Sequence, residues 1–270
     1  MGRIEVKRHD DTGICTIKTE KKEFSVVYRG AIELLNREIK VAIVGSRKAS
    51  EKGVECARLL AKEFGSQGVV VVSGYALGID TAAHQGALEE GDGATIIVLA
   101  EGINRFNPQK LKDIPNWRER TLVLSQFGPD AKWSSTNAMM RNEIICQLAD
   151  AVIVVEAGPE KDESGKMSGS FQAGKTALRL GVPLFVIVPE THQLSSESDP
   201  IWKCPKGNKQ LLDSEAMELR IDPTNLVESV RNAVKKVLEV IRHCKGDLRA
   251  QESPRQTKKQ ESEQPRLNGL

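Results

Sequence analysis

The 270-residue sequence lacks three features that would each have indicated a class of protein. It has no run of about twenty apolar residues, and its polar start, MGRIEVKRHDD, does not resemble a signal peptide, so we expect a cytoplasmic protein that does not enter the membrane. Its five cysteines show no CxxC or Cys/His spacing, so neither a zinc site nor a disulfide framework is indicated. Its net charge of +2 is too small to indicate nucleic-acid binding, which would require a local cluster of Lys and Arg.

One stretch of the chain, Val69–Leu88, combines a predicted strand, a glycine turn and a helix. Four valines lead into Ser73 and Gly74, and after Gly78 apolar residues recur at helical spacing. Glycines at the carboxyl end of a buried strand let backbone N–H groups approach an anion, because no Cβ stands in the way. The stretch therefore predicts a phosphate site.

A similar strand and turn come earlier in the chain. Lys40–Val44 predicts a strand, Gly45, Ser46 and Arg47 follow it, and Ser50 is placed to cap the next helix. The loop lacks the GxGxxG fingerprint of dinucleotide-binding proteins, so NAD is not indicated. Arg47 beside the loop amides suits a phosphate diester, and an ordinary surface arginine is the alternative.

Four further apolar strands, with helices between them, are predicted along the chain. The strands are Ala94–Leu99, Thr121–Ser125, Ala151–Val155 and Pro183–Val188, and the helices include Asn137–Leu148 and Gln172–Leu180. Because the apolar runs do not alternate with polar residues, they predict an open, mostly parallel, Rossmann-like α/β sheet with helices on both faces. Ligands bind such sheets at the carboxyl ends of the strands, so we expect the glycine turns to converge there with Arg141, Asn142 and the segment Ser168-Gly169-Ser170.

Composition divides the chain into four parts: an N-terminal extension (1–36), the sheet core (37–222), a C-terminal helix (223–246) and a disordered tail (247–270). Apolar residues on one face predict the C-terminal helix, and the tail is almost free of large apolar residues. Within the core, the polar insertion Pro159–Met167 is predicted to form a mobile flap, and the segment after Pro189 is predicted to be irregular.

Several of these motifs resemble those of the DprA/Smf family of bacterial single-stranded DNA-binding proteins. The likeness rests on SGYALGID followed by AAHQGAL, on the lead-in Tyr28-Arg29-Gly30, on the pair Arg141-Asn142 and on Ser-Gly-Ser before a helix. It covers about residues 24–189. The sequence departs from the family pattern at Gln126 and Glu143, where Glu and Arg are usual, and in a shortened aromatic-proline segment that includes Lys110.

The resemblance implies a non-enzymatic protein that binds single-stranded DNA, forms a homodimer and helps to load a RecA-type recombinase during DNA uptake, natural transformation and recombination. It implies no cofactor and no metal ion. The residues expected to contact DNA phosphates are Gly45, Ser46, Arg47, Ser73, Gly74, Gly78, Lys110, Arg141, Asn142, Ser168, Gly169, Ser170 and Lys175.

Alternatives to this interpretation concern the ligand and three kinds of side chain. A nucleotide-binding sensor or a LOG-type phosphoribohydrolase, which acts on nucleoside monophosphates, is the rival class, but the PGGxGTxxE motif of that enzyme family is absent.

Asp80 and His84 would share one helix face and would suit acid–base chemistry, although a capping Asp and a structural His are the favoured interpretation. Met139 and Met140 are interpreted as core residues rather than base contacts.

Overall fold

A computed structural model of the chain describes residues 4–6, 12–18, 23–190 and 202–260. These residues form a ten-stranded sheet whose strands are β1 (Ile4–Val6), β2 (Thr12–Lys18), β3 (Glu23–Gly30), β4 (Lys40–Val44), β5 (Val70–Ser73), β6 (Ala94–Val98), β7 (Thr121–Ser125), β8 (Ala151–Val154), β9 (Leu184–Pro189) and β10 (Met217–Ile221). The helices are α1 (Glu51–Ser66), α2 (Ile79–Glu89), α3 (Ser135–Leu148), α4 (Gly169–Leu180), α5 (Lys206–Leu212) and α6 (Leu226–Gln260).

The order of the strands across the sheet is β1-β2-β3-β7-β6-β5-β4-β8-β9-β10. Every pairing from β7 to β10 is parallel, and β1, β2 and β3 add three antiparallel pairings at one edge. The chain moves from β4 outward to β7 and then returns to place β8 on the other side of β4. The order therefore reverses between β4 and β8, where an open α/β sheet forms its ligand crevice.

Helices cover both faces of the sheet, as the apolar strands predicted. One core layer packs α1, α2 and α6 against the sheet, with Phe64, Ile79 and Val237 fully buried. The other packs α3 and α4 against the opposite face through residues such as Ile145 and Phe171. Strands β4 to β8 are buried along their whole length, which is why their sequences show no alternation. The fold prediction is confirmed.

Two parts of the sheet differ from the sequence interpretation. Residues 1–36 were expected to lie outside the core, yet β3 pairs with β7 and buries Val26 and Tyr28, so the extension is part of the sheet. The segment expected to be irregular contains α5 and β10. Strand β10 is short and buries Leu219 and Ile221 but exposes Arg220 between them, so its alternating pattern did not match the fully apolar strands used to find the others.

Helix α6 is longer than its apolar face predicted. Val230, Val234, Val237 and Ile241 are buried, but the helix continues beyond Gly246 to Gln260, through residues that were expected to be disordered. Extending a helix that is already nucleated costs little free energy when most added residues are good helix formers. The last ten residues of the predicted tail lie outside the described residues.

All five cysteines are free thiols, and Cys15, Cys56 and Cys146 are buried, where desolvation raises their thiol pKa values. Across the described ranges, no helix combines the length and the hydropathy needed to span a membrane, and no group of three or more His, Cys, Asp and Glu side chains is placed to hold a metal ion.

Candidate phosphate and base site

A cleft of about 620 Å³ opens at the carboxyl end of the sheet, beside the ends of the paired strands β4 and β8. Its walls come from the loops after these two strands, from α3 and from the start of α4. Eight of the residues predicted from the sequence line it: Gly45, Ser46, Arg47, Arg141, Asn142, Ser168, Gly169 and Ser170. The tertiary structure thus brings together segments that lie more than a hundred residues apart.

The loop after β4 is held by hydrogen bonds to the end of β8. Ser46 N donates to the backbone oxygen of Glu156 over 2.7 Å, and the carboxylate of Glu156 accepts from Ser50 N over 3.0 Å and from the Trp202 indole over 2.6 Å. Ser50 caps α1 as predicted, accepting from Gly53 N. These bonds fix the backbone of the loop and leave the Arg47 side chain exposed at the mouth of the cleft.

The loop after β5 supports the cleft mainly through its backbone. Gly78 has a φ of +74°, and a Cβ there would lie 2.5 Å from Ser46 O, so glycine is required for the two loops to touch. Ile79 N donates to the same oxygen over 3.3 Å. Ser73 is buried and its hydroxyl donates to Ile43 O over 2.6 Å, so it ties two strands together instead of facing a ligand.

Arg141 is a buried cation between the cleft and the loop after β5. Its Nη1 lies 3.8 Å from Asp80 Oδ2, too far for a hydrogen bond, and its Nε has no hydrogen-bond partner among the described residues. A Cβ on Gly74 would lie 1.1 Å from the same Nη1, so the missing side chain of Gly74 makes the space for the guanidinium. Burial lowers the pKa of Arg141 and the charge of Asp80 opposes the shift. An arginine with so few bonds has donors left for an anion.

The start of α4 contributes backbone amides. Ser168 caps the helix by accepting from Phe171 N over 3.3 Å, and Asn142 Nδ2 donates to Gly169 O over 3.0 Å, which ties α3 to this turn. A Cβ built on Gly169 meets no atom within 4 Å, so the turn faces open space. Amide groups at the start of a helix attract anions, and this turn lines the cleft.

The two lysines predicted for the site lie outside the lining of the cleft. Lys110 donates to Tyr75 O over 2.7 Å, and its Nζ sits 4.4 Å from the centre of the Tyr75 ring. Tyr75 has a φ of 61°, which non-glycine residues rarely adopt, so Lys110 supports a strained loop. Burial lowers the pKa of Lys110, against the charges of Asp80 and Glu101. Lys175 is exposed on the second turn of α4.

Sequence reasoning missed the aromatic residue of the site. Trp133 lines the cleft with 47% of its surface exposed, and the Arg47 guanidinium lies 4.6 Å from the centre of its ring. Its position in a polar stretch, DAKWSST, before α3 was the available signal, because an aromatic residue outside any apolar pattern is a candidate contact for a ligand. The interpretation of the methionines as core was wrong: Met139 lines the cleft and Met140 is 53% exposed, because α3 turns this side toward solvent.

A second, smaller cleft of about 250 Å³ adjoins the first. Arg47, Ala76, Trp133 and Arg141 line both, so they form the wall between them. The remaining residues of the smaller cleft are Gly74, Tyr75, Leu77, Leu99, Ala100 and Glu101.

The insertion at residues 159–167 folds into a turn at the rim of the larger cleft. Asp162 Oδ1 accepts from Ser164 N, Ser164 Oγ and Lys166 N, and Lys161 pairs with Met167 across the turn. The flap predicted from the sequence therefore has internal hydrogen bonds, and its Lys166 adds a cation to the lining.

His84 is buried in the interior behind Tyr75 and is not among the residues that line either cleft. Thr95 Oγ1 donates to Val71 O over 2.8 Å and so accepts from His84 Nδ1 over 2.7 Å, while His84 Nε2 has no hydrogen-bond partner among the described residues. Burial lowers the pKa of His84 to about 3, and the charges of Lys110 and Arg141 act in the same direction. The structural interpretation of this histidine agrees with its position.

Loop residues, arginines and an aromatic ring surround the switch-point crevice of an open α/β sheet, which is the architecture of a ligand-binding α/β protein and has a chemistry that suits phosphates and bases. The chain matches the family described as DNA recombination-mediator protein A over residues 15–231. It belongs to that family, and the DprA/Smf resemblance is confirmed.

Relatives and solved structures agree with this assignment. DNA processing protein DprA of Streptococcus pneumoniae is 38% identical over 162 residues, covering 59% of this chain and 54% of the relative, and that of Bacillus subtilis is 34% identical over 146 residues, covering 54% and 48%. The chain spans about half the length of these two relatives. The Helicobacter pylori DNA processing protein A, described for its single-stranded DNA binding mode, superposes with a TM-score of 0.60 at 26% identity, covering 80% of this chain and 87% of that one. The S. pneumoniae structure gives 0.57 at 31%, covering 76% and 65%.

Proposed function

We propose that this protein binds single-stranded DNA in the larger cleft and acts as a recombination mediator. The observation that carries the proposal is the pair Arg47 and Trp133, which places a phosphate-binding guanidinium against an aromatic ring at the mouth of a crevice. Membership of the family and the DNA-binding description of the H. pylori relative support it.

The chemistry of the cleft suits a single strand. Backbone amides at the start of α4 meet phosphate oxygens, and Arg47 and Arg141 supply charge. Trp133 and Met139 offer surfaces on which bases stack or pack, and such contacts tolerate any base because each one has a π face. None of these groups needs the regular spacing of a duplex.

The wider role follows from the same proposal. The protein acts without catalysing a reaction, works as a homodimer in the cytoplasm and helps to load a RecA-type recombinase during DNA uptake and transformation. These points rest on the resemblance to DprA/Smf proteins.

A binding titration tests the proposed function. We expect a fluorescently labelled single strand to bind more tightly than a duplex of the same length, and free nucleoside monophosphates to bind weakly and to remain intact. A flexible strand can follow the crevice, whereas a rigid duplex must fit its full width against the sheet edge. Equal or tighter binding of the duplex would contradict the proposal, and release of a free base from a nucleotide would support a phosphoribohydrolase.

Replacing Arg47 with alanine is expected to weaken single-strand binding by about 1–3 kcal/mol, the range for a charge-assisted hydrogen bond. The slope of log affinity against log salt should fall by about one counterion. Arg47→Lys should recover part of the loss, because lysine keeps the charge but not the planar fork. Anisotropy titrations at several salt concentrations measure both quantities, and an unchanged slope in the alanine variant would place Arg47 outside the site.

A further inference from the structure

The smaller cleft has a composition that differs from that of its larger neighbour. Apart from the wall that it shares, its lining is apolar except for one charged side chain, Glu101, and includes Leu77, Leu99 and Ala100. Its volume of about 250 Å³ is below the roughly 300–1,000 Å³ of a pocket for a drug-sized ligand. A cleft of this size suits one flat ring system.

A hydrogen bond to the neighbouring strand fixes the backbone of Glu101. This residue follows β6, and Ser125 Oγ donates to Glu101 O over 2.7 Å, which anchors the residue to the neighbouring strand β7. Its carboxylate lies 4.0 Å from Arg105 Nε, a long and partly exposed ion pair that holds it weakly. Glu101 lines the cleft, and Lys110, whose ammonium donates to the Tyr75 carbonyl in this cleft's loop, is close enough for the charge of Glu101 to act on its pKa.

The carboxylate of Glu101 argues against a phosphate in the smaller cleft, because no cation of the described residues outside the shared wall lines that cleft, whereas Lys48 and Lys166 balance Asp80 and Asp162 in the lining of the larger cleft. Two negative groups brought together would repel each other, and the cations among the residues that line this cleft, Arg47 and Arg141, stand in the wall shared with the larger cleft. A nucleobase meets no such repulsion, because its faces suit the apolar lining and its edge can carry N–H donors for the carboxylate.

The bases differ in how well they match a carboxylate. Guanine presents N1–H and N2–H₂ side by side on its Watson–Crick edge, which is free in a single strand, and so can give two parallel hydrogen bonds to the two oxygens. Adenine and cytosine place a ring acceptor next to their amino group, and thymine flanks its single N–H with two carbonyls. Each of these bases brings an acceptor against the carboxylate.

We propose that the smaller cleft is a base subsite in which Glu101 selects guanine. This inference rests on the proposed binding of single-stranded DNA. It adds one position of base preference to a site whose other contacts are independent of sequence, so the residue determines specificity at one nucleotide while the larger cleft supplies most of the affinity.

The test compares thymidine oligonucleotides of one length, with and without a single central dG, by fluorescence anisotropy at fixed salt. We expect the dG strand to bind at least about fivefold more tightly, the lower end for a bidentate contact with a base. Inosine, which lacks the N2 amino group, should lose part of this preference, and 7-deazaguanine, whose Watson–Crick edge is intact, should keep it.

Glu101→Gln is the informative variant, because it keeps the shape and replaces one acceptor by a donor. The dG preference should fall to about one, with thymidine binding slightly tighter since a negative charge has left the crevice. Glu239→Gln removes an exposed carboxylate from α6 and should keep the parental preference. Equal binding of both strands by the parent, or an unchanged preference in Glu101→Gln, would overturn the inference while leaving the proposed function intact. Failure to bind either strand would overturn both.

Discussion

Gly74→Ala is expected to remove most of the affinity for single-stranded DNA and to lower the free energy of unfolding. A Cβ at this position lies 1.1 Å from Arg141 Nη1, so the guanidinium has to leave its place beside Asp80. The backbone need not move, because the atom displaced is the end of a flexible side chain. Breaking a buried ion pair while leaving one charge behind costs about 3–5 kcal/mol, and losing a charge-assisted bond to phosphate costs about 1.5–3 kcal/mol of binding.

Two further variants separate stability from binding. Gly74→Ala combined with Asp80→Asn removes the unpaired carboxylate, so the melting temperature should recover while DNA binding stays weak. Gly128→Ala makes the same chemical change at an exposed glycine with no atom within 4 Å of the new Cβ, and should behave as the parent does. Parental DNA affinity in Gly74→Ala would show that Arg141 does not contact the strand.

Acid is expected to destabilise the protein steeply through His84. Its pKa is lowered from 6.5 to about 3, so the folded state keeps the ring neutral while the unfolded state takes up a proton. The contribution of neutral His84 to the free energy of unfolding is complete above about pH 6.5. It is lost as the pH falls toward 3, by up to about 1.4 kcal/mol per pH unit. The physical reason is that Nε2, the nitrogen that would be protonated, is buried without an acceptor among the described residues.

Urea unfolding between pH 7 and pH 4 measures this effect. His84→Asn keeps an N–H donor for Thr95 but has no group that titrates in this range, so its stability should depend less steeply on pH than that of the parent. Comparing slopes removes the contribution of carboxylates, which are common to both proteins. Parallel slopes would contradict the assignment of the acid sensitivity to His84.

The regular part of the fold was predictable because each central strand is buried on both faces. Strands β4 and β7 have the predicted bounds, and the other four predicted strands differ by a residue or so at their ends. The exceptions lie at the sheet edges. Strand β10 and the N-terminal strands are each buried on one face only, so their sequences alternate and predict a strand less strongly than a fully apolar run does. Their pairing with a neighbouring strand in the folded sheet is what makes them strands.

The site was predictable where backbone geometry requires glycine or a cap. Gly78, which lies in the predicted glycine turn with a positive φ, and Ser50, which caps α1, have local roles that agree with their sequence positions, whereas Ser168 was expected only as a phosphate contact and also caps α4. The long side chains were less predictable. Lys110 bonds to the Tyr75 carbonyl instead of facing the cleft, since a flexible ammonium binds to whichever acceptor the fold places within its reach.

The sequence by itself determined the order of the central strands and their helices and the glycine turns, because these depend on burial period and on local backbone conformation, and its motifs determined the family. The tertiary structure alone decided which side chains share a crevice. Reversal of strand order between β4 and β8 brings Arg47, Trp133 and Arg141 to one wall and leaves Glu101 in a separate cleft beside it. Residues far apart in the chain acquire a common function only when the sheet sets their positions, and no local pattern records that arrangement.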